Sequence, residues 1–213
     1  MTVIDLTHTI KPGMPVYPGT EPPRIERANT IETDGFLEHK LTMYSHTGTH
    51  MDAPSHILKN GRTLDSYAAD FFVGRASVID VRDAEGRSIT LESIRKYSQL
   101  LTEIDFLLLR TGWGERWGSE EYFSGYPVLN EDATKWLAGS FHLRGIGVDA
   151  ISVDREDTTL FPVHGALLGK EMVILENIAH IDAVRDERFL FSCLPLKTEH
   201  ADGSPVRAVA MLL

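Results

Sequence analysis

Five short runs of apolar and β-branched residues limit the folds open to this chain more than any other feature: ASVIDV (76–81), IDFLLLRT (104–111), GIGVDAISVD (145–154), MVILEN (172–177) and PVRAVAML (205–212). Each is bounded by polar or glycine-containing stretches and reads as a buried strand. Between them, TLESIRKYSQL opens with Thr90 ahead of Leu91, Ile94 and Tyr97, and NEDATKWLAGS opens with Asn130 ahead of Ala133 and Trp136. A capping residue before an apolar series at helical spacing predicts a helix in each case. The pattern is mixed α/β with strand the larger share. At 213 residues the chain can bury about 70% of the surface it exposes when unfolded. No repeat and no flexible linker divides it, so residues 1–213 are expected to form one domain.

Two further stretches shape the N-terminal third. KPGMPVYPGTEPP (11–23) carries five prolines and two glycines, which remove backbone donors and favour an ordered loop over helix. In FLEHKLTMYS (36–45), Leu37, His39, Leu41 and Met43 alternate with Glu38, Lys40, Thr42 and Tyr44. That period of two predicts a strand running into the segment that follows.

That segment, HTGTHMDAPSH (46–56), holds three histidines and an aspartate in eleven positions. His46 and His50 are four apart, as on a metal-binding helix, but Gly48, the two threonines and Pro54 argue for a loop leaving a strand. Gly48 allows a left-handed turn, and Pro54 holds Ala53 extended. A polar surface loop would explain any one of these histidines alone. Three imidazoles with Asp52 are better explained as nitrogen and oxygen ligands of zinc or manganese. The single cysteine, Cys193, excludes a disulfide framework and a thiolate zinc site.

Charge and composition narrow the partners. Lys and Arg total 21 against 31 Asp and Glu, for a net charge of −10, which repels a phosphate backbone and an anionic membrane surface. Nucleic acid and membrane partners are not expected, and a cytoplasmic location is the simplest expectation. A serine hydrolase elbow, G-x-S-x-G, does not occur. GIGVDA (145–150) fits a dinucleotide fingerprint only superficially, because its glycines lie within the apolar run.

The segment HTGTHMDAPSH resembles the H-x-G-T-H-x-D-x-P-x-H signature of the cyclase family of metal-dependent hydrolases, which includes bacterial kynurenine formamidases. The likeness extends to DLTHTI, the YPG loop, TGW (111–113), SVD (152–154), HGALLG, LEN and ADGSPVRAVA, and so to nearly the whole chain. It implies the swivelling β/β/α fold, with a central mixed, barrel-like sheet and outer helices. It implies His46, His50 and Asp52 as ligands of a first metal, and His56 as an unligated proton carrier. Asp52, His164 of HGALLG and Glu176 of LEN would hold a second ion, although some relatives carry one ion rather than two. Taken without the resemblance, His164 reads as a loop or helix-start histidine and Glu176 as a solvated strand end.

A divalent ion with an open position lowers the pKa of bound water to about 7 and polarises a carbonyl, and a histidine with an ordinary pKa of about 6.5 can move the proton. The expected activity is hydrolysis of a small amide or formamide, kynurenine formamidase-like. The alternatives are a cyclic amide or lactone hydrolase, isatin hydrolase-like, and a non-catalytic metal-binding protein on the same scaffold. An unligated His56 favours catalysis over storage. Kynurenine formamidases carry tryptophan before the early PG, aspartate after it and phenylalanine after the last histidine. Here those positions are Tyr17, Thr20 and Ile57, and Tyr17 can still stack on an aryl group. Trp113 is either a second pocket residue or a packing residue, and ADGSP (201–205) reads as a tight turn between strands. The resemblance also implies a homodimer or higher homo-oligomer, with an active site partly formed by a neighbouring chain.

Overall fold

Along Phe106–Arg110, Phe106 and Leu108 pack into one apolar core while Leu107 and Leu109 pack into another. Successive side chains of a strand point to opposite faces, so a strand covered on both faces is apolar at every position. The same division separates Val78 from Ile79, and Val173 and Leu175 from Ile174. It accounts for runs that are continuous rather than alternating. The computed structural model describes residues 1–184 and 188–212.

The strands in chain order are β1 (Thr2–Asp5), β2 (Arg24–Asn29), β3 (Glu38–Thr42), β4 (His50–Asp52), β5 (Val73–Asp80), β6 (Ser88–Ile89) and β7 (Phe106–Arg110). They continue as β8 (Val128–Leu129), β9 (Gly145–Val148), β10 (Val173–Glu176), β11 (Phe189–Ser192), β12 (Gly203–Pro205) and β13 (Val209–Leu212). Nine form one mixed sheet in the order β1-β13-β11-β5-β7-β9-β10-β4-β12. Neighbours within β5-β7-β9-β10 are parallel, and the outer pairs are antiparallel. Leu6, just past β1, accepts from the Ala179 N–H just past β10 at 2.9 Å. The first and seventh strands of the sheet therefore meet at one end, and the sheet curls into a half-barrel. The inner core contains Leu6, Leu64, Phe106, Phe189 and Phe191. The outer core is covered by Ile94, Leu137, Val163 and Leu167 from the helices. This is the barrel-like mixed sheet with outer helices expected above.

The two capped helices form where expected. Asn130 accepts from Ala133 N at 2.8 Å ahead of the helix Glu131–Ser140. Thr90 accepts from Ser93 N ahead of Leu91–Arg95, but helix then breaks at Lys96–Tyr97 and resumes over Ser98–Leu101. Residues 11–23 form a loop without helix or strand.

Four local expectations are corrected. PVRAVAML is not one buried strand: Pro205 ends β12, Arg207 is exposed, and β13 begins only at Val209. GIGVDAISVD is buried throughout but is strand only to Val148. Beyond it the Asp149 carboxylate accepts from Thr111 N and Gly112 N, so its loop is tied by side-chain bonds that hydropathy does not reveal. The alternating run at 36–45 gives β3, but among the described residues β3 pairs only with β2, and all five of its residues are exposed. It does not continue into the main sheet. ADGSP is not a turn: Gly203–Pro205 is the edge strand β12, antiparallel to β4.

Candidate metal centre

Met51 faces the inner core, so His50 and Asp52 on either side of it face the opposite way. The antiparallel register sets Glu176 of β10 directly opposite His50. Three polar groups on two adjacent strands are thereby brought together by the ladder alone. His46 reaches the same point from the bend before β4, where Gly48 adopts φ 66°. His164 enters from the first turn of the helix Pro162–Leu168. Pro54 and extended Ala53 carry the chain on to His56.

The distances are short throughout. His46 Nδ1 lies 2.6 Å from Asp52 Oδ1, and His50 Nε2 lies 3.3 Å from the same oxygen and 3.4 Å from Glu176 Oε2. His164 Nε2 lies 3.5 Å from both Asp52 Oδ2 and Glu176 Oε1. Among the described residues, His46, His50 and Asp52 form one group able to hold a metal ion, and Asp52, His164 and Glu176 form another. A third such group, His46, His56 and Asp202, overlaps the first. Asp52 is 1% exposed, and its Oδ2 accepts no hydrogen bond. A buried carboxylate oxygen without a donor is costly, and a divalent cation between Asp52, His164 and Glu176 would satisfy it. The donor set therefore fits two hard or borderline cations.

Each histidine near Asp52 has its remote ring nitrogen occupied. His50 Nδ1 donates to Gly48 O at 2.8 Å, His164 Nδ1 to Asp154 Oδ2 at 2.7 Å, and His46 Nε2 to Asp202 Oδ2 at 3.1 Å. Outer partners of this kind fix the ring tautomer and aim the other nitrogen. Asp154 and Asp202 were not singled out by sequence reasoning. The motifs SVD and ADGSP that contain them were visible, but only topology shows which histidine each one meets. Gly203 belongs to the same feature: a Cβ there would stand 2.4 Å from the His46 ring. The motif ADGSP is thus site architecture.

The electrostatics suit a cation. Burial lowers the pKa of His50 and His164, but the neighbouring carboxylates of Asp52 and Glu176, with Asp154 for His164, push them up to about 10 and about 12. Burial raises the carboxylate of Asp52, yet the surrounding histidines hold it well below its ordinary range. Protons therefore balance the carboxylates in the metal-free protein, and a metal would displace them. His56 behaves differently. Burial lowers its pKa, partly offset by Asp52, so it is a neutral imidazole at pH 7.

The ring of His56 lies 4.0 Å from that of His46, beside a pocket of about 260 Å³. Its wall also includes Pro15, Val16, Tyr17, Tyr44, Ile151 and Phe161. Tyr17 and Thr20 both line the pocket. Trp113 is not in the lining. Its indole donates to Tyr122 O at 3.0 Å and its ring packs against Tyr126 and under Arg116, so it is a packing residue.

Fold and site together present a candidate metal centre on a curled mixed sheet. The chain belongs to the family described as putative cyclase, whose model matches residues 4–155. A kynurenine formamidase of Bacillus cereus is 35% identical over 207 residues, covering 97% of this chain and 95% of its own. Isatin hydrolase A from Labrenzia aggregata, solved with benzyl benzoate, superposes with a TM-score of 0.87 at 28% identity, covering 99% of this chain and 93% of that one. A structure described as a potential metal-dependent hydrolase with cyclase activity superposes with a TM-score of 0.81, also at 28% identity, over 98% of this chain and 96% of its own.

Proposed function

We propose that the protein is a metal-dependent hydrolase of small amides, with an aryl formamide as its substrate class, in the manner of the kynurenine formamidases it is similar to. His46, His50 and Asp52 hold one divalent ion, and Asp52, His164 and Glu176 hold a second, zinc or manganese in each case. The observation that carries this reading is Asp52. It is a buried carboxylate with one oxygen toward His46 and His50 and the other, without a hydrogen bond, toward His164.

The bound ion supplies an activated water and a Lewis acid for the carbonyl. Neutral His56 accepts the proton released during attack and returns it to the departing nitrogen, which leaves as an amine. His56 lines the pocket, and among the described residues the one candidate metal group that includes it is that with His46 and Asp202. Tyr17, Tyr44, Ile151 and Phe161 supply an apolar wall against which a planar aryl group can lie.

A second reading, hydrolysis of a cyclic amide such as an isatin-like lactam, is favoured by that same wall. No lysine or arginine among the described residues lines the pocket, so a substrate without a charged tail suits it as well as an amino acid does. We further propose a homo-oligomer, because Ile31, Phe36, Leu37, Leu41 and Tyr44 on and around the β2–β3 hairpin are each more than half exposed. Light scattering on the purified protein checks this. Metal analysis coupled to turnover of N-formylkynurenine, an isatin-like lactam and formanilides tests the activity. Full turnover after chelation, or no turnover of any of them by metal-loaded protein, overturns the proposal.

A further inference from the structure

Asp154 stands at the end of the buried loop that follows β9 and is 2% exposed. Its Oδ1 accepts from Val163 N at 2.9 Å, and its Oδ2 accepts from His164 N at 2.9 Å and from His164 Nδ1 at 2.7 Å. One carboxylate thus holds the first turn of the helix Pro162–Leu168 and the ring that projects from it. The residue at the usual capping position, Phe161, has a left-handed backbone and no capping side-chain bond. Asp154 therefore takes over the helix start from a distance in sequence.

A helix anchor alone would need only the backbone N–H bonds. The third bond, to Nδ1, is directed at the imidazole and leaves Nε2 facing Asp52 Oδ2 and Glu176 Oε1, both 3.5 Å away. Rotating the ring would break that bond, and moving the Nδ1 proton to Nε2 would close the nitrogen that faces the carboxylate pair to a metal ion. The other carboxylate partner, Asp202, sits in different surroundings: its side chain is 49% exposed, and it partners His46 in the other metal group. Solvent competes for Asp202 but not for Asp154.

We propose that Asp154 is the positioning residue of the second ion: by holding His164 Nδ1 it makes Nε2 the ligating atom, and occupancy of the Asp52–His164–Glu176 group depends on it. The inference rests on the two-ion reading given above. Outer partners of metal-binding histidines contribute about 10- to 100-fold in metal affinity.

The test is zinc titration of the full chain in chelator-buffered solution, with the ions counted by elemental analysis. The wild type is expected to bind two ions per chain. Asp154→Asn keeps the shape and is expected to bind the second ion about 10- to 100-fold more weakly, with first-ion affinity and cooperative melting retained. Asp202→Asn is expected to leave the second ion's affinity unchanged. Equal second-ion affinity in Asp154→Asn and wild type overturns the inference while the two-ion reading stands. A wild type that binds only one ion overturns both. Should Asp154→Asn not fold, nitrogen-15 spectra of the zinc-loaded wild type decide: His164 is expected to keep its Nδ1 proton and coordinate through Nε2, and coordination through Nδ1 overturns the proposal.

Discussion

His50 and Glu176 are register partners across β4 and β10, and their side chains meet with Nε2 3.4 Å from Oε2. In the metal-free protein Asp52 and Glu176 push the pKa of His50 up to about 10, and with Asp154 they push that of His164 up to about 12. A histidine whose pKa is raised by folding adds stability that is complete below its unfolded value of about 6.5 and is lost as pH rises toward the folded value. The metal-bound form requires both rings neutral at the ligating atom, so proton competition weakens metal binding at low pH. The gap in Tm between metal-loaded and chelated protein is therefore expected to widen from pH 6.5 to pH 9. Thermal melts at fixed metal concentration measure it, and a gap that narrows contradicts the charge balance described.

His56 touches the site without belonging to the two groups built on Asp52. His56→Ala is expected to retain the wild-type metal content and to lower kcat by about 100-fold or more, the usual contribution of a proton-transfer group. Metal analysis and kcat measured on the same preparation separate the two effects. Undiminished turnover removes His56 from the mechanism.

What the sequence revealed and what it concealed have physical causes. The buried strands were legible because residues such as Phe106 to Leu109 are apolar on both faces, and the cluster His46–His56 was legible because its histidines and Asp52 are close along the chain. Gly48 was legible because few residues other than glycine take its turn. His164 and Glu176 came only through family likeness, since their meeting with Asp52 depends on β10 lying beside β4 and on where the helix Pro162–Leu168 starts. Asp154 and Asp202 stayed hidden for a related reason: their motifs look like ordinary loop chemistry until the sheet brings each to a histidine. Trp113 stayed open because a tryptophan after a buried strand has equal claims to pocket and core.

Gly203 is conformationally ordinary, and its importance is steric. An added Cβ would lie 2.4 Å from His46 Cε1 and 2.6 Å from Nε2. Gly203→Ala is expected to displace the His46 ring, weakening the first ion about 10- to 100-fold and lowering stability by about 1–3 kcal/mol, as overpacking does. Metal titration and thermal melting together check this, and wild-type affinity for both ions would show that the ring is free to move.

Phe161 combines two properties that substitution can separate. Its ring lines the pocket beside His164, with centroids 5.9 Å apart, while its backbone sits at φ 47° and ψ 54° immediately before Pro162. A bulky residue held in the left-handed region carries strain of about 1–2 kcal/mol that glycine does not. Phe161→Ala and Phe161→Gly both remove the ring, so both are expected to raise KM for aryl amides by about 10-fold, the effect of losing one aromatic contact of about 1.4 kcal/mol. They differ only in backbone freedom. Alanine keeps the strain, whereas glycine releases it but gains entropy when unfolded, a cost of about 0.5–1 kcal/mol. The glycine variant is therefore expected to be the more stable of the two by about 0.5–1 kcal/mol, with indistinguishable kinetics. Denaturant melts compare the stabilities, and an alanine variant at least as stable as the glycine one would mean that the left-handed corner is not strained.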